Sequence, residues 1–154
     1  MKKVQIILIL FLLFIIDIVS KILILNKLPI GGVYLFHGVN FELHKNYGVA
    51  FGINIYNILI IPISIIITIF LIMEIQETLK LKKYYLSFFI GLIIIGATSN
   101  LINRITYGYV VDFISIYFFP VFNFSDLYII IGVIFYFLFL NKPLDKNTKG
   151  LINQ

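Results

Sequence analysis

The sequence contains seven carboxyl side chains, Asp17, Glu42, Glu74, Glu77, Asp112, Asp126 and Asp145. Three of them, Asp17, Asp112 and Asp126, sit in or beside long apolar stretches. An ionisable group at membrane depth costs at least about 2.5 to 3.5 kcal/mol, so each needs a partner, a wet cavity or a chemical task. Asp17 has a partner in its own segment: Lys21 follows one helical turn later, with the acid N-terminal to the base. That pair can either pin a helix against polar neighbours or touch a substrate. Asp112 and Asp126 come from different segments but can converge. Two carboxylates in one site cannot both ionise cheaply, so one keeps its proton. The ionised member can then activate water while the protonated member polarises a carbonyl, which is what aspartic peptidase chemistry requires. Taken singly they have plainer roles, Asp126 as the N-cap or first-turn acid of an apolar helix and Asp112 as a loop acid.

Other chemistries find less support. The chain has no cysteine, which excludes a thiol nucleophile, a disulfide framework, a thiolate zinc site and a lipid-modified cysteine of its own. His37 and His44 share one segment at a spacing that fits no helical zinc pair, and they read as surface histidines. Ser20, Ser64, Ser87, Ser99, Ser115 and Ser125 have no linked histidine signature. Gly91, Gly96 and Gly132 suit close helix packing better than phosphate-binding turns. Glu74, Glu77 and Asp145 lie near lysines and read as solvated pairs, and Glu42 belongs to a polar connecting segment.

The elements that must position these groups follow from composition. Of 154 residues, 61% are hydrophobic and 12% charged, and mean hydropathy is +1.06. A soluble domain of this size could not bury so much apolar surface, so the solvent is lipid. Apolar runs at about 4–25, 53–73, 84–102 and 126–140 predict four transmembrane helices in a single polytopic domain, 1–154. The first run carries Asp17 and Lys21, is too long for a signal-peptide core and lacks a small-residue cleavage site, so it is expected to stay. Lysines cluster at Lys2 and Lys3, at Lys80, Lys82 and Lys83, and at Lys142, Lys146 and Lys149. The positive-inside rule puts all three clusters and both termini in the cytoplasm, and sends 26–52 and 103–125 to the outer face. This also accounts for the net charge of +5 without a nucleic-acid partner, since no basic face with interleaved aromatics exists. Gly31-Gly32, Val33 to Phe36, His37-Gly38 and Val39 to Leu43 predict a small hairpin or sheet resting at the membrane surface. The tail from Pro143 reads as a short polar terminus.

Four ordered blocks add a resemblance. They are Asp17-Ile-Val-Ser-Lys21, Asn46-Tyr-Gly-Val-Ala-Phe51, Gly96-Ala-Thr-Ser-Asn100-Leu-Ile-Asn-Arg104, and Val110-Val-Asp112-Phe113 with Phe122-Asn123-Phe-Ser-Asp126. Together they resemble the bacterial lipoprotein signal peptidases over nearly the whole chain. The resemblance implies that Asp112 and Asp126 are catalytic, and that Asp17, Lys21, Asn46, Gly48, Asn100, Arg104 and Asn123 bind substrate or support the site. It implies an all-α membrane protein of four transmembrane helices, with a small extracytoplasmic β-cradle over about 28–52 and an outer loop or half-helix near 105–122 that could act as a lid. The substrates would be diacylglyceryl-modified prolipoproteins, cut before the lipidated cysteine at the outer face of the bacterial cytoplasmic membrane. Globomycin-type cyclic peptides would inhibit, membrane lipids would be the surroundings, no metal or organic cofactor is implied, and a monomer is expected. Two positions depart from the family pattern. Ile18 stands where glutamine is usual, and Asn103 stands where aspartate usually precedes the arginine. The rival reading is a small transport or structural membrane protein in which Asp17 and Lys21 carry protons or ions.

Overall fold

The computed structural model describes residues 3–48 and 57–140. The start of the second predicted span, Val49 to Phe51 of the second block, Lys2, Asp145 and the three lysines of the tail lie outside the described residues. In chain order the elements are α1 (Lys3–Lys27), β1 (Val33–Phe36), β2 (Val39–Asn46), α2 (Asn57–Lys80), α3 (Tyr84–Tyr107), β3 (Val110–Ile116) and α4 (Phe124–Leu140).

Helices α1, α2 and α3, of 25, 24 and 24 residues, are long and apolar enough to cross a membrane, whereas α4 is an apolar helix of 17 residues. Their outward faces are dense with exposed isoleucine, leucine and phenylalanine, including Ile58, Ile63, Phe70, Phe137 and Leu138. Surface of that kind is stable only against lipid. Helix α2 continues beyond the expected end near 73 and takes Glu74, Glu77 and Lys80 into its last turns, so that Leu81–Lys83 alone turn the chain into α3. Helix α3 also runs past the expected end at 102. It stops at Gly108, whose φ of 79° is the left-handed conformation that glycine adopts without a Cβ penalty, and whose N–H donates to the Arg104 carbonyl. The extra turn matters, because it keeps Asn100, Asn103 and Arg104 on one rigid helix.

The segments that follow α1 and α3 form one antiparallel sheet in the order β1-β2-β3. Val33 pairs with Phe41 in the hairpin, while Asn40 pairs with Ser115 and Asn46 with Val110 on the other side of β2. This corrects the expected loop or half-helix at 105–122. Val110–Ile116 is a third strand, joined to Phe122 by a bridge at Ile114. Its β-branched run Val110-Val111 and Ile114 suits a pleated surface buried beneath it. Val111, Phe113 and Ile114 pack with Ile24 at the end of α1, and this cluster seats the sheet on the helices.

Helices α3 and α4 approach closely through glycines, as expected. A Cβ on Gly96 would lie 2.5 Å from the Ser125 carbonyl oxygen, and one on Gly132 would lie 2.7 Å from the Phe89 carbonyl oxygen. Gly91 makes the same kind of room for Leu10 of α1.

Candidate active site

All nine residues singled out from the sequence fall into one connected hydrogen-bonded network. Three helices and two strands supply it. Asp112 is the third residue of β3 and is 1% exposed. The strand packs against α3 and α1, and its residues Val110–Ile114 are all buried. Asp126 lies in the first turn of α4.

Asn123 joins the two aspartates. Its side-chain Oδ1 accepts the Asp126 N–H at 3.0 Å, and its own N–H donates to Asp126 Oδ2 at 3.1 Å. This reciprocal pair is a capping box, which makes Asn123 the N-cap and Asp126 the residue three positions on. Asp126 thus fills the plain first-turn role foreseen for it, and the same Asn123 links it to Asp112. The Asn123 Nδ2 meanwhile donates to Asp112 Oδ1 at 2.6 Å. Asn100 Nδ2 donates to Asp126 Oδ1 at 2.9 Å, and Asn46 Nδ2 to Asp112 Oδ2 at 2.8 Å. Each of the four carboxyl oxygens thus accepts one hydrogen bond from an amide.

Burial disfavours the charged form of Asp112, and the neighbouring charge of Asp126 adds to it. Together they push its carboxyl up to about 7, against the hydrogen bonds from Asn46 and Asn123 and the more distant charge of Lys21. A carboxyl that keeps its proton near neutrality can donate a hydrogen bond, which a solvated aspartate cannot.

Beneath the aspartates lies the pair from α1. Asp17 and Lys21 are 0% and 1% exposed. The Lys21 ammonium reaches Asp17 Oδ2 at 2.8 Å, Asn100 Oδ1 at 2.8 Å, Ser125 Oγ at 3.0 Å and Ser99 Oγ at 3.1 Å. Asp17 also accepts the Ser125 N–H at 2.9 Å, the Ser125 hydroxyl at 2.6 Å and the Ser99 hydroxyl. The carboxylate therefore supplies a second cap to the N-terminus of α4, from another helix. Ser99 and Ser125 escaped the sequence reading, which weighed serines only as nucleophiles. Each hydroxyl donates to Asp17 and accepts from Lys21, and their positions directly before Asn100 and Asp126 were the available signal.

At the C-terminal end of α3, Arg104 Nη2 donates to the Gly48 carbonyl at 2.8 Å, and the Gly48 N–H donates to Asn46 Oδ1 at 3.0 Å. The strand that presents Asn46 is thereby tied to α3. The Arg104 Nε is buried without a partner among the described residues, a donor left available inside the site. Asn103 does not pair with Arg104. It is 4% exposed and its Oδ1 accepts the Val111 N–H at 3.1 Å, which fastens the start of β3 to α3. An aspartate could accept that same bond, so the departure at 103 leaves the anchoring of β3 intact.

The histidines and glutamates set aside make no side-chain bond to the network among the described residues, although His44 stands opposite Asp112 in the β2–β3 pairing. His37 and His44 are exposed, and Glu77 pairs with Lys80 at the surface. Glu74 differs from the expected lysine pairing, since it accepts the Tyr136 hydroxyl of α4 at 3.1 Å.

Comparison with known proteins bears on this site. The family model for signal peptidase (SPase) II matches residues 9–142. The lipoprotein signal peptidase of Wigglesworthia glossinidia brevipalpis is 40% identical over 139 residues, covering 86% of this chain and 90% of that protein. That of Clostridium tetani is 36% identical over 139 residues, covering 83% and 86%. Two solved bacterial membrane enzymes, determined by the in meso method at 2.3 Å and 1.9 Å, superpose with TM-scores of 0.78 and 0.73 at 30% and 31% identity. The first covers 94% of each chain, and the second covers 92% of this chain and 96% of its own.

Proposed function

The chain belongs to the signal peptidase II family, and on that premise we propose that it removes signal peptides from prolipoproteins as an aspartic endopeptidase with Asp112 and Asp126 as its catalytic pair. The observation that carries the aspartic reading is the convergence of two aspartates from β3 and α4 on Asn123, which donates to both.

In this mechanism a water lies between the carboxyls. One carboxylate takes a proton from the water as its oxygen attacks the scissile carbonyl carbon. The protonated partner gives its proton to the carbonyl oxygen, producing a neutral gem-diol. The first carboxyl, now protonated, delivers its proton to the amide nitrogen while the diol gives one back to the partner. The C–N bond then breaks to an acid and an amine, and the dyad returns to a single shared proton. Asn46, Asn100 and Asn123 hold the carboxyls in place through the cycle. Arg104, whose buried Nε has no partner among the described residues, is suited to hold a peptide carbonyl of the substrate.

The substrate would be a prolipoprotein whose cysteine already carries a diacylglyceryl group, cut immediately before that cysteine. A site at the outer ends of α3 and α4 lets a helical signal and lipid chains enter sideways from the bilayer. Helix α4, at 17 residues, would be the fourth span of a single membrane domain, with both termini cytoplasmic and the sheet outside. The setting would be the bacterial cytoplasmic membrane, the active form a monomer, and globomycin-type cyclic peptides would compete for the site. The transport reading is disfavoured by the enclosure of Asp17 and Lys21, whose polar atoms bond to each other and to Ser99, Asn100 and Ser125.

The test is a gel-shift assay of purified protein with a diacylglyceryl-modified prolipoprotein. Cleavage by the wild type and none by Asp112→Asn or Asp126→Asn, both folded, is the expected result. Cleavage surviving in either variant refutes the dyad.

A further inference from the structure

Three asparagine amides turn their nitrogens toward the two aspartates, and in each the amide oxygen is held by a different donor. For Asn46 the donor is the Gly48 N–H, and for Asn123 it is the Asp126 N–H. For Asn100 the nearer donor is the Lys21 ammonium, 2.8 Å from Oδ1, with the Asn123 Nδ2 a longer second donor at 3.4 Å, while Nδ2 faces Asp126 Oδ1 at 2.9 Å. The two ends of an amide differ in chemistry but hardly in shape, so a fixed donor is needed to decide which end meets a carboxyl. At Asn100 the shorter and charged donor is a buried ammonium anchored by Asp17, Ser99 and Ser125.

We propose that Lys21 is a positioning residue acting through Asn100: its ammonium locks the amide with NH2 toward Asp126, making Asp126 the ionised, water-activating aspartate and leaving the shared proton on Asp112. The inference rests on the aspartic peptidase reading above.

The surroundings of the two carboxyls agree with this division. Asp126 stands in the first turn of α4, where backbone N–H groups favour negative charge, and it takes the Asn123 N–H directly. Asp112 stands in a strand, with no helix terminus behind it, and its bonds come from two neutral amides. Burial that holds its carboxyl at about 7 is consistent with its keeping the proton. The other charged groups on the surrounding elements make no hydrogen bond to either aspartate among the described residues. Asp17 is occupied by Lys21 and the two serines. Arg104 bonds the Gly48 carbonyl while its charge acts on both aspartates, His44 stands opposite Asp112 in the β2–β3 pairing and is exposed, and Lys45 lies over the Tyr109 ring at 5.1 Å. Glu42 is not among the partners of either aspartate, and Glu74, Glu77 and Lys80 belong to the far end of α2.

The experiment measures kcat/KM against pH with a diacylglyceryl-modified peptide for wild type, Lys21→Met and Asp17→Asn/Lys21→Met. The double variant removes a net-neutral pair and leaves no unpaired buried charge, so it isolates the lock from the net charge. The expected result in both variants is a lower kcat with the acid limb displaced upward by about one pH unit, the scale of one nearby favourable interaction with a carboxylate, and with KM unchanged. An unmoved acid limb in a folded variant, or a change confined to KM, overturns the proposal. Infrared spectra at pH 6 give a second reading that does not depend on Lys21 variants folding. The protonated carboxyl stretch should vanish in Asp112→Asn and persist in Asp126→Asn, and the reverse pattern overturns the assignment. A wild type that cleaves nothing refutes the peptidase reading, whereas cleavage with unmoved limbs refutes the lock alone.

Discussion

Asp112→Asn should trade catalysis for stability in a way that depends on pH. Raising a carboxyl from 3.8 to about 7 on folding means that the folded protein binds this proton more tightly than the unfolded chain does. The stabilisation is fully present below about 3.8, declines as pH rises, and is gone above about 7. The difference corresponds to about 4 kcal/mol, or on the order of 10 °C in Tm for a chain of this length. Asparagine mimics the protonated acid and does not titrate. It brings its own constant penalty, because Asn46 and Asn123 both point NH2 groups at this side chain and an amide has only one oxygen to receive them. That mismatch costs about 1–3 kcal/mol at every pH. The informative quantity is therefore the change in the Tm difference between variant and wild type from pH 4 to pH 8, followed by thermal unfolding in detergent. The variant should gain on the wild type by roughly 10 °C over that range, while prolipoprotein cleavage is lost throughout. Parallel curves for the two proteins would refute the claim that Asp112 is held protonated by its site.

Three further outcomes follow from the same geometry. Asn46→Leu removes a hydrogen bond that favours the charged form of Asp112, so the alkaline limb of kcat/KM should move above about 7, read from the pH profile of peptide cleavage. Gly96→Ala would press a methyl against the Ser125 carbonyl and Ile129, which should cost about 1–3 kcal/mol and lower kcat by shifting Asp126 from Asn100, seen in unfolding and steady-state kinetics. Asp17→Ala leaves Lys21 buried without its counter-charge and removes the second cap of α4, at a cost of about 3–5 kcal/mol, measured as loss of thermal stability that Asp17→Asn/Lys21→Met largely avoids.

The site was legible in the sequence because charge is so rare in this chain. With 12% charged residues in an apolar background, Asp17, Lys21, Asp112 and Asp126 each needed an explanation that lipid could not give. The helices were legible for a related reason, since their apolar runs exceed what a soluble core needs. Their ends were less so. Helix α3 continues five residues past its expected end because termination depends on Gly108, not on where hydrophobicity falls. The strand Val110–Ile116 was missed as a strand because its hydrogen bonds go to β2, roughly seventy residues away in sequence. Local pattern gives a short β-branched run no partner. Ser99 and Ser125 were missed for the opposite reason, because hydroxyls in helices are common and only tertiary contact shows them bridging an ion pair.

The division of labour between charges and amides has a physical basis. Two acids and a lysine placed in direct contact in a desolvated site would settle as a salt bridge, neutralising the aspartate that, on the proposed mechanism, would activate water. The Asn100 amide keeps Lys21 one side chain removed from Asp126, close enough to bias it and too far to take it as a partner. Lys21 is instead paired with Asp17, so the buried cation is satisfied without consuming the dyad. Asn123 does the equivalent between the two aspartates, donating to both. Neutral amides of fixed orientation thus let Asp112 and Asp126 share one small desolvated site with the Asp17–Lys21 pair without being drawn into its salt bridge, and replacing any of these asparagines with a side chain that cannot donate should disturb protonation before it disturbs the fold.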